Sequence, residues 1–305
     1  MGDGKLRVGI AKFLHDGNFA RKEFDDGPDI MERGGLYPIL ERLDVEVTET
    51  RTATLTLEES KQYGTVNRLG LAGRHMAEIV STQIKRDELN ISLLSNCVGL
   101  IGMLAGVQLA GPDWKPLRVG LVYFDAHGDI NTPETSLSMM MGGMPVAVGC
   151  GLCLHRLRRQ SGLEVPLPTR YVVLAGLRDV DILEQEIIDS SDIEQITVED
   201  IRRLSSNVKM QIDRLSRLTD LIYVHVDTDV LGAEEVPGHT TPVPDGCNSD
   251  QLSVTLEAIF RYPKVASFGV ASLPTKGDSK GIALKAVYKM VEGVVRGVMS
   301  RPKSI

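Results

Sequence analysis

The sequence predicts a three-layer α/β/α protein built on a mostly parallel sheet of about eight strands. Eight short apolar runs rich in β-branched residues recur along the chain, with helix-like stretches between them. The runs read as continuous apolar segments rather than as apolar–polar alternation. That pattern marks strands covered by helices on both faces.

In order, the runs are 6–13 (LRVGIAKF), 44–50 (DVEVTET), 91–96 (ISLLSN) and 119–127 (VGLVYFDAH), then 171–177 (YVVLAGL), 193–197 (IEQIT), 221–229 (LIYVHVDTD) and 264–273 (KVASFGVASL). Between them, 61–86, 198–216, 249–261 and 279–299 carry apolar residues at helical spacing, and GGLYPILERL (34–43) reads as a core helix. The 198–216 helix has a start signal in Thr197 as N-cap, with Glu199 and Asp200 in the first turn. No Pro/Gly/Ser-rich linker divides the chain and no segment repeats, so residues 1–305 are read as a single α/β domain.

Composition narrows the class. Hydrophobic residues make up 42% and charged residues 25%, ordinary for a globular protein with a large core. The formal charge of −7 speaks against a general nucleic-acid binder, because phosphate contacts need a basic face. No window approaches the roughly 18 apolar residues of a membrane span. The opening MGDGKLRVGIAKF lacks the long apolar stretch of a signal peptide. Four cysteines (97, 150, 153 and 247) are too few for a disulfide scaffold. The expectation is a reduced, cytoplasmic protein.

Chemistry gathers at the ends of two runs. VGLVYF is followed by Asp125, His127 and Asp129 at every second position, in FDAHGDIN. Continued strand geometry would turn all three to one side. LIYVHV ends in Asp227 and Asp229. In a parallel sheet both segments fall at the carboxyl edge, where such folds bind ligands. Four aspartates and a histidine at one edge would strand buried negative charge unless cations sit among them. Oxygen-rich ligation with an imidazole suits Mn²⁺, with Fe²⁺, Co²⁺, Ni²⁺ or Zn²⁺ as alternatives. Two divalent ions about 3.5–4 Å apart would balance four carboxylates better than one.

With these segments in hand, the sequence resembles the ureohydrolase superfamily of arginases, agmatinases and formimidoylglutamases. GLRDVD (176–181), DTDVLGAEEVPGHTTPVPDG (227–246) and the glycine spacing of SNCVGLIGMLAG (95–106) carry the resemblance, which spans nearly the whole chain. It implies an arginase-like fold and hydrolysis of a linear guanidino or amidino C–N bond. It also implies a hydroxide held between two metal ions as the nucleophile, and a trimer or hexamer. Asp125 and Asp227 would bridge the metals. Asp129 would bind one metal and orient the hydroxide, and His127 and Asp229 would complete the other shell. Asn131, Ser138 and Asp181 match positions that contact the amino-acid end of the substrate, with Glu184 nearby either supporting Asp181 or on a solvated helix.

Three positions depart from arginases. Cys97 stands where the first metal segment has a histidine. It would ligate as a thiolate, shifting preference toward softer ions, or fill a core site as a small hydrophobe. Gly142 stands in the place of the histidine proton shuttle, for which His239 is a substitute unless it is a surface loop residue. Ala271 replaces the glutamate that holds the guanidinium, and Met140 replaces another polar contact. These departures keep two alternatives open: a formimidoylglutamase-like amidine hydrolase, and a catalytically silent relative serving as a binding or assembly subunit. The GCGLC pair Cys150 and Cys153 is read as structural, and HRLRRQ (155–160) as a solvated helix end or a subunit contact.

Overall fold

In the computed structural model, which describes residues 4–15, 26–112 and 115–302, every expected strand forms. These are β1 (Leu6–Phe13), β2 (Val45–Ala53), β3 (Leu89–Leu94) and β4 (Val119–Phe124), then β5 (Val172–Ala175), β6 (Glu194–Ile196), β7 (Leu221–Asp227) and β8 (Val265–Ala271). The first three residues of the opening MGDG lie outside the described residues. The sheet order is β2-β1-β3-β8-β7-β4-β5-β6, and each neighbouring pair is parallel.

Every residue of β3, β4 and β5 is buried, as their continuous apolar runs require. One face is covered by the helices Ser206–Leu218, Ser249–Phe260 and Ile282–Met299. The other is covered by Thr65–Lys85, Leu100–Leu109 and the short turns after β4. The Leu100–Leu109 helix is apolar all round and buried at Leu100 through Gln108. Its glycine spacing is a packing device. A Cβ on Gly102 would lie 2.8 Å from the Gly73 carbonyl oxygen, and one on Gly106 2.6 Å from Val80 Cβ, so only glycine lets this helix close on Thr65–Lys85.

Two local expectations change. The 198–216 helix is two helices, Val198–Arg203 and Ser206–Leu218, because Leu204 turns left-handed (φ 45°) and Ser205 caps the second. The Thr197 cap forms as read, closing a reciprocal capping box with Asp200. HRLRRQ is not wholly solvated, since Arg158 turns inward and donates to the Glu164 carbonyl at 2.7 Å.

The sheet order decides where chemistry can occur. Phe124 pairs with Val226 across β4 and β7, so Asp125 and Asp227 leave the sheet side by side. Asp227 also pairs with Ala271 of β8, and β3 lies just beyond. Four chain segments therefore meet at one carboxyl edge.

A candidate metal centre at the carboxyl edge of the sheet

The first acidic segment converges by turning rather than by extending. β4 stops at Phe124, and the Asp125 carboxylate accepts the His127 backbone N–H at 2.7 Å. This local side-chain turn competes with strand geometry. It corrects the expectation that strand alternation aligns Asp125, His127 and Asp129. Asp129 adopts φ 48°, a left-handed conformation that aspartate tolerates, and its carboxylate accepts the Tyr123 hydroxyl. The second segment behaves alike: Asp227 Oδ1 accepts the Asp229 N–H at 3.1 Å. The two loops are joined where Asp229 Oδ1 accepts the Ala126 N–H at 3.2 Å.

The side chains meet within a few ångströms. His127 Nδ1 lies 3.2 Å from Asp125 Oδ1 and 3.2 Å from Asp229 Oδ2. Cys97, in the turn after β3, places Sγ 2.8 Å from Asp227 Oδ2 and 3.7 Å from Asp125 Oδ2. Ser272 donates to Asp227 Oδ2 at 2.5 Å. His239 is buried at this edge, with Nε2 3.5 Å from Asp227 Oδ1, so it is not a surface loop histidine. Among the described residues, three donor groups are close enough to hold a cation: Cys97–Asp125–Asp129, Asp125–His127–Asp229 and Asp227–Asp229–His239.

Packed this closely, the groups cannot all carry charge. Burial and the neighbouring Asp229, Asp129 and Asp227 carboxylates push Asp125 well above the usual range. Burial pushes Asp129 up to about 8. Burial would also raise Asp227, but hydrogen bonds from His239, Cys97 and Ser272 take it down to about 2. His127, which burial alone would lower, is carried up to about 12 by Asp125 and Asp229. Burial and the same carboxylates hold the Cys97 thiol protonated. Carboxylates forced into opposite protonation states at one edge are a donor set that divalent cations would satisfy.

The donors open into a cavity of about 410 Å³ that Asn131, Ser138 and Asp181 also line. Asn131 Nδ2 donates to Asp181 Oδ2 at 3.3 Å. Glu184 is buried and accepts the Ile130 N–H at 2.9 Å, bracing the first acidic loop instead of sitting on a solvated helix. Gly142 lines the cavity, and a Cβ there would meet nothing within 4 Å. Ala271 is fully buried and outside the cavity lining, whereas its neighbour Ser272 belongs to it.

Sequence reading missed several contributors. Arg178 is the largest. Its guanidinium donates to the carbonyls of Gly176, Asp229, Val230, Leu231, Val243 and Pro244, clamping the second acidic loop. The others are Tyr123, Thr241 and His225. His225 interrupts the apolar run LIYVHVD, an available signal because a fully buried imidazole needs polar partners. Burial lowers its pKa to about 4.

Fold and site together define an α/β protein with a candidate metal centre at the carboxyl edge of a parallel sheet. The chain belongs to the arginase family, whose model matches residues 100–295. It is 29% identical to an arginase of Entamoeba histolytica over 286 residues, covering 88% of this chain and 91% of that one. It is also 29% identical to an N(omega)-hydroxy-L-arginine amidinohydrolase of Streptomyces lavendulae over 229 residues, 74% of this chain and 76% of that one. A solved arginase of Bacillus subtilis superposes with a TM-score of 0.83 at 25% identity, covering 96% of this chain and 98% of that one. Among the described residues no helix is long and apolar enough to cross a membrane.

Proposed function

We propose that this chain hydrolyses a C–N bond of a linear guanidino or amidino compound with the help of two divalent cations, Mn²⁺ being suited to most of the ligand set. The observation that carries the reading is the meeting of Asp125, His127, Asp129, Asp227 and Asp229 in one cavity. Cys97, Asp125, Asp129 and Asp227 would hold one cation. Asp125, His127, Asp227 and Asp229 would hold the other, with His239 beside them. When bound, such cations lower the pKa of water and neutralise the carboxylates.

The chain's own residues supply the rest. Asp129, anchored by Tyr123, accepts a hydrogen bond from the attacking water and orients it. His239 accepts the Thr241 N–H at Nδ1, 3.3 Å away, which leaves Nε2 to carry the proton that the departing amine needs. Despite burial, Asp227 and Asp229 keep this imidazole more basic than usual. Asn131, Ser138 and Asp181 would hold the far end of the substrate as an amino-acid group. The Streptomyces relative's name extends the candidate substrates to modified guanidino groups.

A second reading rests on Ala271. By the resemblance a glutamate would hold the guanidinium there, and Ser272, the neighbour that does line the cavity, brings no charge, which favours a formimino or other amidine substrate. The test is release of urea, ammonia or formamide from a panel of guanidino, N-hydroxyguanidino and formimino amino acids by Mn²⁺-loaded protein. Urea supports the first reading and formamide the second. No product from any member would overturn both and leave a binding or assembly role.

A further inference from the structure

Beside Cys97 lies an imidazole that none of the candidate ligand groups includes. His225, on β7, is fully buried, with Nε2 3.4 Å from Cys97 Sγ and Nδ1 2.8 Å from the Tyr223 hydroxyl. Its ring stacks on Tyr123 at a centroid distance of 4.9 Å and an interplanar angle of 15°. Tyr223 meets it edge-on at 5.8 Å. Adjacent strands thus fix the ring on two sides.

The hydrogen bonds determine which nitrogen carries the proton. Among the described residues, the buried Tyr223 hydroxyl has one hydrogen-bond partner, His225 Nδ1. A buried hydroxyl donates where an acceptor is present, so Nδ1 accepts and Nε2 carries the N–H toward the sulfur. Room for that hydroxyl is built into the next strand. A Cβ on Gly269 would lie 2.1 Å from Tyr223 Oη.

An N–H aimed at sulfur suits a thiolate far better than a thiol. As the side chains stand, the Cys97 S–H donates to Asp227. A cation among Cys97, Asp125 and Asp129 would take the place of that proton, which leaves to solvent, while the His225 N–H continues to hold the sulfur.

We propose that Cys97 binds metal as a thiolate positioned by the Tyr223–His225 relay, so that the centre takes two different metals. A Zn²⁺-class ion would sit at the Cys97 end and a harder Mn²⁺-class ion at the His127–Asp229 end. This rests on the binuclear reading above but concerns metal identity, which is measured without substrate. His225 and Tyr223 act here as positioning residues, in the way outer-shell partners tune metal sites elsewhere.

The test begins with metal-free full-length protein given one equivalent of Co²⁺. A sulfur-to-cobalt charge-transfer band in the near ultraviolet, lost in Cys97→Ser, is expected. Tyr223→Phe removes one hydroxyl and no ligand. It should shift the band and weaken Zn²⁺ binding by about 10- to 100-fold while leaving Mn²⁺ binding at the other end unmoved. His225→Phe, which keeps an aromatic ring on Tyr123, should do the same. Dialysis against equimolar Zn²⁺ and Mn²⁺ should leave one of each per chain. A wild-type cobalt spectrum without the sulfur band overturns the proposal. So does a Tyr223→Phe protein with wild-type band and Zn²⁺ affinity, or a chain that takes two ions of one metal from the mixture. A silent substrate panel would not touch these results, and a missing band would not touch a positive panel.

Discussion

At one end of the centre, Cys97 is buried against Asp125 and Asp227, with His225 and Tyr223 of β7 at its side. At the other end, His127 leaves 26% of its side chain exposed, and its companions His239 and Thr241 come from the loop after β7. Strand residues brace the first end, Tyr123 from β4 and Tyr223 and His225 from β7, while side-chain hydrogen bonds within turns hold the second. The difference teaches a division of labour. On the proposed reading, a strand-built end would fix the position and chemistry of an ion, and a loop-built end would leave room for water, substrate and proton transfer.

The largest expected effect comes from the residue that serves both ends. Asp227 contacts Cys97 and Ser272 with one oxygen, and the Asp229 N–H and His239 with the other. Asp227→Ala should lose both bound metals, as read by elemental analysis after Mn²⁺ loading, and with them any hydrolysis. Retention of one metal would mean that the ends are independent. Asp229→Ala sharpens the point, because it should empty only the loop-built end.

Arg178 comes next. It joins the loop-built end to the fold through six backbone carbonyls. Arg178→Ala leaves those carbonyls without their donor and should destabilise the protein by about 2–4 kcal/mol in denaturant melts. Arg178→Lys should restore little, since one ammonium cannot reproduce the fork. Metal affinity should fall more at the His127 end than at the Cys97 end. Equal losses at both would break the comparison.

The dependence on pH follows from the buried carboxyl groups. Asp129 titrates at about 8 in the fold against an ordinary 3.8, and Asp125 is also raised. A carboxyl with a raised folded-state pKa contributes stability that is fully present below its unfolded pKa and lost as pH rises through the folded value. His127, raised to about 12, acts in the same direction from its ordinary 6.5 upward. Chelated protein should therefore lose stability steadily as pH rises from about 6 to about 9. Added Mn²⁺ should remove that loss, because metal and protons compete for the same oxygens. Thermal melts with and without chelator measure both.

Most of this fold was legible because buried parallel strands have to be apolar along their length, and the eight runs announced themselves. The five residues proposed as ligands stood out for the opposite reason, being charges placed where an apolar run ends. What escaped depends on contacts that no local period records. That His225 reaches Cys97 depends on β8 and β7 lying beyond β3, an order set by the whole sheet. The burial of His239 depends on Gly238, whose φ of 86° and missing Cβ let the loop close on the Lys276 carbonyl 38 residues away in sequence. The break at Leu204 left a trace in Ser205, a cap residue inside a helical pattern.

The smallest effect is expected from Tyr123, which touches the strand-built end through one hydroxyl and one ring face. Tyr123→Phe keeps the stacking on His225 and removes only the hydrogen bond to Asp129. The Asp129 carboxylate would still reach a cation but lose its fixed orientation. Metal affinity at the Cys97 end should fall by about tenfold, with stability changed by about 1 kcal/mol. If the strand-built end fixes its ion through geometry, the loss should appear at that end alone, as weaker Zn²⁺ retention on dialysis beside unchanged Mn²⁺ binding. Weakening at both ends would show that Asp129 communicates with the His127 side, and that the boundary between the ends lies elsewhere.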